Sequence, residues 1–385
     1  MLFPYWSPFL RELGASPFII GLIFSVSNIA LFISRIPGAY LADVYGRKRV
    51  ITIFTFTVAL VQLIYVFAVD WRFVLLAATL ESLFLLYQPA LSAMVADLIP
   101  EDRRGVGFAM VNILPSAVAV FSPVIGAVIV SNYGLNVGMR YVFLIIFVAY
   151  IVSALLRYFF LEETLDEVED GVDLSWRSIF VESLKAMYEV WIEAPRNLKV
   201  VILILMLSAI EDPIFVNYAS LYVFDVVGLT EYEWGVLITM YMGLMILLGY
   251  PSGKIVDRYG RRFSLILGYL LAIPAILLIL APDIPFSIWM GIAILSITSS
   301  ILNPAFSAII TDLTPKKFRG RVFGMIGNLN VISVAASSPI AGVLYEVDPR
   351  VPFIFILFLN LAILALIVKN ILEPIHSTNK SLLSR

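Results

Sequence analysis

Gly38-Ala39-Tyr40-Leu41-Ala42-Asp43-Val44-Tyr45-Gly46-Arg47-Lys48-Arg49 closes one long apolar run and precedes another. The same order of residue types returns as Gly253-Lys254-Ile255-Val256-Asp257-Arg258-Tyr259-Gly260-Arg261-Arg262. Asp43 to Asp257, Gly46 to Gly260 and Pro37 to Pro251 are each separated by 214 positions. A second pair repeats at an offset of 215: Pro89…Asp97-Leu98-Ile99-Pro100…Arg104-Gly105 and Pro304…Asp312-Leu313-Thr314-Pro315…Arg319-Gly320. Two independent motifs at nearly one offset mark a tandem duplication of similar bundles.

The surroundings of these motifs are apolar. The 385 residues are 61% hydrophobic and 14% charged, with mean hydropathy +0.96, whereas a soluble domain carries about 25% charged residues. This is the composition of a membrane protein. A net charge of −2 carries no message about nucleic acid. With no cysteine and a single histidine, His376 in a polar tail, thiolate chemistry is excluded and zinc or haem sites are disfavoured. No basic region precedes the first apolar run, so no cleavable signal peptide is expected.

Apolar runs at 17–43, 50–69, 72–97, 106–131, 140–160, 198–224, 232–257, 262–281, 285–312, 321–345 and 351–372 each approach or exceed the roughly 20 residues that cross a bilayer as a helix. Residues 1–10 read as the end of one more. Gly14 aligns with Gly228 at the 214 spacing, which leaves about 16 residues of the first helix missing. The reading is an all-α integral membrane protein of two six-helix bundles related by a parallel internal repeat, a twelve-helix plan with the first helix truncated. Its parts are 1–160, a first bundle; 161–197, a linker; 198–372, a second bundle; and 373–385, a tail. Ser16-Pro17 and Thr230-Glu231-Tyr232-Glu233 are matched helix starts, a cap with proline and a capping box.

Alternating the loops puts 21 of the 26 Lys and Arg residues on one side, with Arg11, Arg72, Arg140 and Arg350 opposite and Arg35 inside a span. By the positive-inside rule, the loops holding Arg47, Arg104, Arg261 and Arg319 are cytoplasmic and the protein sits in the cell membrane. The linker opens with an acidic run from Glu162 to Asp173, read as a solvated face. Trp176, Ile179, Phe180, Leu184, Met187, Val190 and Trp191 then follow at helical spacing, as in a helix lying along the membrane surface.

Ionisable residues inside hydrocarbon are functional candidates by default. Here they are Arg35 in span 2, Glu81 in span 4, and Glu211 with Asp212 in span 7; spans 3, 6, 9 and 12 hold no charge away from their ends. Asn28 shares a face with Arg35, and Gln88 and Ser92 share one with Glu81. Ser296, Ser300, Asn303 and Ser307 line span 10, and Tyr218 with Tyr222 extends the face of Glu211. Such stripes serve either as hydrogen-bonding glue or as the lining of a wet cavity. For Arg35 and Glu81 the plainer expectation is a mutual ion pair. For the acids of span 7 it is a partner among Ser208, Asn217 and Arg35. Pro213 predicts a local kink at the bilayer midplane, with Glu211 the first choice as a proton carrier.

The duplicated G-x-x-x-D-x-x-G-R-R motif, on twelve spans arranged six plus six, resembles the major facilitator superfamily. Its first copy has Ala39 at the usual glycine with Gly38 beside it, so the close approach of span 2 shifts by a residue. The resemblance implies a conformational latch of Asp43, Gly46, Arg47 and Asp97, repeated as Asp257, Gly260, Arg261 and Asp312. Ser122-Pro123-Val124-Ile125-Gly126-Ala127 is similar to the Gly-Pro-x-x-Gly-Gly signature of proton-linked drug exporters, with two glycines replaced; Ser338-Pro339-Ile340-Ala341-Gly342 also lacks the first. The resemblance implies a secondary transporter; the span 5 stretch, with buried acids and few buried bases, points to export of a small amphipathic or hydrophobic molecule in exchange for protons, by a monomer without cofactor. Uptake of a sugar, nucleoside or organic anion is the alternative within the class, and a non-transporting membrane sensor the alternative outside it. An intramembrane enzyme lacks the nucleophile–base pair or metal ligands it needs.

Overall fold

A computed structural model of the protein describes residues 3–99, 110–111, 115–164, 185, 188–284, 286–315 and 318–371. The amphipathic stretch of the linker, the Arg104 loop and the tail lie almost wholly outside them. Every regular element among the described residues is helical. Helix α1 (Trp6–Glu12) is short. It is followed by α2 (Pro17–Tyr45), α3 (Arg47–Val66), α5 (Ser122–Tyr133) and α6 (Leu135–Phe160). Between α3 and α5, α4 is composite: Trp71–Phe84, a 3-10 turn Leu85–Tyr87, then Gln88–Leu98. Pro89 cannot donate to the carbonyl four residues back, so the chain tightens there. The second half contains α7 (Arg196–Pro213 and its extension), α8 (Glu231–Tyr259), α9 (Arg261–Ile279), α10 (Ser287–Leu313), α11 (Arg319–Val347) and α12 (Val351–Asn370). Among the described residues, eleven helical stretches are long and apolar enough to cross a membrane, Pro115–Tyr133 taking in α5.

The duplication is visible in the backbone. Gly14 and Gly228 turn with φ +86° and +77°, and Gly46 and Gly260 with +87° and +92°; a side chain is strained there, which is why glycine recurs at both copies. Ser16 caps α2 by accepting from Ile19 N–H at 3.3 Å. Thr230 and Glu233 close the reciprocal capping box that starts α8, at 3.2 Å and 2.8 Å. At Gly38 a Cβ would overlap the Leu86 carbonyl, so α2 approaches α4 one residue before the usual motif glycine, as expected. Ser252 stands 214 positions on from Gly38. It is hydrogen-bonded at 2.9 Å to Ser300, itself 214 on from Leu86: a bare contact in one repeat is a polar one in the other.

The compact units do not follow the repeat boundary. The first comprises Met1–Ala186 with Ile210–Thr239 and Asn330–Pro352. The second comprises Met187–Ala209, Met240–Leu329 and Phe353–Arg385. In the first unit, the ends of α7, α8 and α11 away from the basic motifs pack on α1, α2 and α5. A Cβ on Gly21 would overlap the Ser338 carbonyl, and one on Gly235 would meet Ala127 and the Pro123 carbonyl. Small residues therefore let backbones touch where lipid offers no hydrophobic drive to hold helices together. Polar ties surround these crossings. Trp234 Nε1 donates to Pro4 O at 2.8 Å and Tyr5 to Glu231 O at 2.9 Å. Tyr218 donates to Pro17 O at 2.9 Å, and Glu346 accepts from Phe18 N–H at 3.0 Å. Arg11 pairs with Asp225, its counterpart 214 positions on, and Tyr345 donates to the same carboxylate oxygen at 2.9 Å. The second unit has an aliphatic core around Val201, Leu265, Ile309 and Ile363.

Candidate functional site

The acids of α7 sit where the helix changes form. The α-helix ends at Pro213 and continues as π-helical turns, Ile214–Tyr218 and Val223–Val227, separated by Ala219–Tyr222. Proline removes a backbone donor, and the wider i→i+5 turn absorbs the mismatch; such bulges are frequent at functional sites. Asp212 is exposed and Glu211 half-buried. Asn330 of α11 hydrogen-bonds the Asp212 side chain.

This differs from the expected partners. Ser208 donates to Ile204 O at 2.9 Å and is bonded to Tyr269. Asn217, 1% exposed, has neither amide atom hydrogen-bonded to a described residue. The π turns also break the periodicity that would align Glu211 with Tyr218 and Tyr222. Both tyrosines are fully buried, and Tyr218 donates to the Pro17 and Ser338 carbonyls at 2.9 and 3.2 Å. They therefore offer no open surface in this state; Tyr218 fastens α7 to α2 and α11.

The expected Arg35–Glu81 pair is not formed. Glu81 is half-buried and accepts from Tyr65 at 2.9 Å and from Gln62 Nε2 at 3.1 Å. Both donors come from α3, whose interior holds no charge; an amide and a phenol deep in an apolar helix are the sequence signal for this site. A cavity of about 230 Å³ lies beside Glu81, lined by Trp6, Phe24, Ser27, Tyr65 and Ser82 among others. Arg35 is half-buried. Asn28 donates to Phe24 O at 2.8 Å.

The stripes divide between the two roles. Gln88 is exposed, with Ser92 returning its hydroxyl to the Gln88 carbonyl at 3.1 Å. On α10, Ser296 and Ser300 are buried and bonded to their own helix at 2.8 and 2.7 Å, whereas Asn303 and Ser307 are exposed in the second unit. Ser300 also bonds Ser252 of α8 and so ties two helices, Ser296 bonds within α10, and the second pair is open to solution or lipid.

Among the described residues the motif forms three ion pairs in two local groups. Arg47 binds Asp97 and donates to Thr164 at 3.2 Å. Arg261 binds Asp312 at 3.0 Å, with Asp257 at 3.8 Å. The side chain of Asp43 lies outside the described residues. Glu163, read from sequence as part of a solvated acidic run, instead accepts from the N–H groups of Arg47 and Lys48 at 3.2 and 3.0 Å. It satisfies free donors at the α3 N-terminus, where an anion is favoured.

The family model described as Major Facilitator Superfamily matches residues 1–234 and 201–382. A multi-drug resistance efflux pump, PmrA, of Streptococcus pneumoniae is 25% identical over 358 residues, 89% of this chain and 85% of that protein. An uncharacterized MFS-type transporter of Methanocaldococcus jannaschii is 23% identical over 324 residues, 84% and 81% of the two chains. Among solved structures, a bacterial homolog to the human lysosomal transporter Spinster, inward-facing and occupied, superposes with a TM-score of 0.78 at 15% identity, covering 96% of this chain and 93% of that one. With its duplicated motif and all-helical membrane fold, the chain belongs to the major facilitator superfamily and is a transporter rather than an enzyme.

Proposed function

We propose that this transporter exports a small amphipathic or hydrophobic molecule through the cell membrane in exchange for protons, by alternating access, with its basic loops cytoplasmic. The observation that carries the reading is Asp212. It is an exposed carboxylate on a proline-broken, π-wound stretch about 24 Å along α7 from Arg196, tied to α11 through Asn330. A carboxylate that is reachable yet set among apolar helices is suited to bind a proton in one state and release it in another. Export is supported by the likeness to a protein named as a drug efflux pump and by the Ser122–Ala127 stretch. The polar ties among α1, α2, α7, α8 and α11 close one end, and alternating access requires them to part.

Asp212→Asn and Glu211→Gln in proteoliposomes test the assignment, with proton-driven flux and substrate exchange measured separately. Loss of driven flux with exchange retained identifies the coupling acid. Full driven flux in both variants transfers the role to Glu81, whose half-buried carboxylate beside a cavity makes it the second reading.

A further inference from the structure

α1 and α7 pack against each other inside the first unit, with both Ile214–Tyr218 and Ala219–Tyr222 touching α1. At the end away from the basic motifs, Arg11 of α1 pairs with Asp225 of α7, and Tyr345 donates to the same oxygen at 2.9 Å. Ser7 stands one turn below Arg11 on the same face of α1. On α7 the π turns build a second stripe. Each i→i+5 turn takes one residue more than an α turn. Asp212, Asn217, Ser220 and Asp225 therefore fall where i, i+4, i+7 and i+11 fall on an ordinary helix, on one face. That stripe runs from the Arg11 pair to the acid bonded by Asn330.

The middle of this seam is polar. Among the described residues, neither amide atom of Asn217 nor the hydroxyl of Ser220 or Ser7 has a hydrogen-bond partner. These residues are 1%, 2% and 1% exposed. Buried polar groups are almost always satisfied, so four such atoms on two packed helices call for a guest. Asn217 requires the guest both to donate and to accept. An alkali cation accepts no hydrogen bond and a bare anion donates none. Water does both, and a buried water makes about three bonds to groups of this kind. Successive polar groups of the α7 stripe are about 4–8 Å apart along the axis, gaps that one or two waters bridge.

Arg11 stands at the mouth of the seam. Its guanidinium stays charged, and a fixed positive charge at a narrow water path excludes protons. The other carboxylates at this end are placed differently. Glu346 accepts from Phe18 N–H, Glu233 closes the capping box of α8, and Glu12 and Glu231 repel one another.

We infer that the seam between α1 and α7 binds water and is a proton route from the closed end to Asp212, barred in this state by the Arg11–Asp225 pair. Each transfer along it breaks one O–H bond as it forms the next and needs no other reactant. The inference rests on the assignment of Asp212 as coupling acid and adds the way its proton arrives.

The test uses the full chain in proteoliposomes with an enclosed pH indicator, a potassium gradient and valinomycin, and no substrate. The parent protein should be tight to protons. Arg11→Gln removes the barring charge together with an exposed pair that contributes little to folding. Proton entry should then rise about tenfold, the lower end of what one neighbouring charge does to proton affinity. Arg11→Lys keeps the charge and should stay tight. Asn217→Leu is close in shape and removes unpartnered polar atoms, so it should fold at least as well. Added to Arg11→Gln, it should return proton entry to the parent rate, whereas Asn217→Ser, which keeps a polar group and room for water, should not. No rise in Arg11→Gln overturns the inference. So does a rise that survives Asn217→Leu, since the protons then pass through a parted end. Adding Asp212→Asn separates the two assignments: a leak that persists there but stops with Asn217→Leu leaves the seam standing and removes Asp212 as its end.

Discussion

Gly21→Ala should open the closed end. A Cβ there would overlap the Ser338 carbonyl oxygen and lie 2.8 Å from its carbon and 2.6 Å from Tyr218 Oη. Two of those atoms are backbone, and Tyr218 is fully buried, so none can swing aside. α2 and α11 must separate instead, and overpacking of this kind costs about 1–3 kcal/mol. Alanine also favours the helix over glycine, but it does so equally whichever end is closed. That gain cancels from the comparison between states. A strain of about 2 kcal/mol borne by the closed form alone shifts the closed-to-open ratio about thirtyfold. The chain has no cysteine, so one reporter thiol can be read cleanly. Ser220→Cys is nearly isosteric and sits at a position only 2% exposed on α7 in the same unit. Its reaction with a membrane-impermeant maleimide should be slow in the Gly21 background and should accelerate toward thirtyfold with Gly21→Ala. Gly235→Ala, at the matching crossing of α8 with α5, should act in the same direction. An unchanged labelling rate in a variant that folds would refute the claim that this contact sets the closed end.

Further perturbations discriminate the remaining ties. Asp312→Asn should cost more stability than Asp97→Asn, about 2–3 against 0.5 kcal/mol by thermal unfolding, because Asp312 is 12% exposed and Asp97 47% and exposed pairs contribute little. Glu81→Ala leaves the Tyr65 and Gln62 donors without their acceptor, at about 1–3 kcal/mol for each buried group; Glu81→Gln should recover part of that loss. Asp43→Asn should slow transport while leaving folding and substrate binding largely intact, checked by flux and by ligand binding in detergent. At the end of α1, burial and then repulsion from Glu231 hold the Glu12 carboxyl above its ordinary value. A raised acid favours the fold while protonated, so its contribution is present below the ordinary carboxylate range and is lost as pH rises through the folded value. Glu12→Gln should flatten that part of the stability–pH profile.

The sequence was most legible where a repeat met a simple rule. The 214 spacing located the Gly46 and Gly260 turns, the paired helix starts and the shift of close approach to Gly38, because positive φ and backbone contact tolerate almost nothing but glycine. Hydropathy located the spans to within a few residues, save the run at 106–131, whose start lies outside the described residues. Side-chain pairing was less legible. Periodicity assumed 3.6 residues per turn through α7, and the π turns after Pro213 broke the alignment of Glu211 with Tyr218. Counting only charges hid Gln62, Tyr65 and Asn330, neutral groups that hydrogen-bond Glu81 and Asp212. Glu163 looked like one acid in a solvated run because its role depends on the fold bringing the α3 N-terminus to it.

The proposed export has substrate leaving as protons enter through Asp212. Substrate-stimulated proton movement in proteoliposomes, followed with an enclosed pH indicator over a panel of amphipathic compounds, tests it most directly. A transported compound should acidify one compartment in proportion to its own flux, and Asp212→Asn should abolish the proton signal while unlabelled substrate still exchanges for labelled. Substrate flux with no accompanying proton movement in the wild-type protein would contradict it.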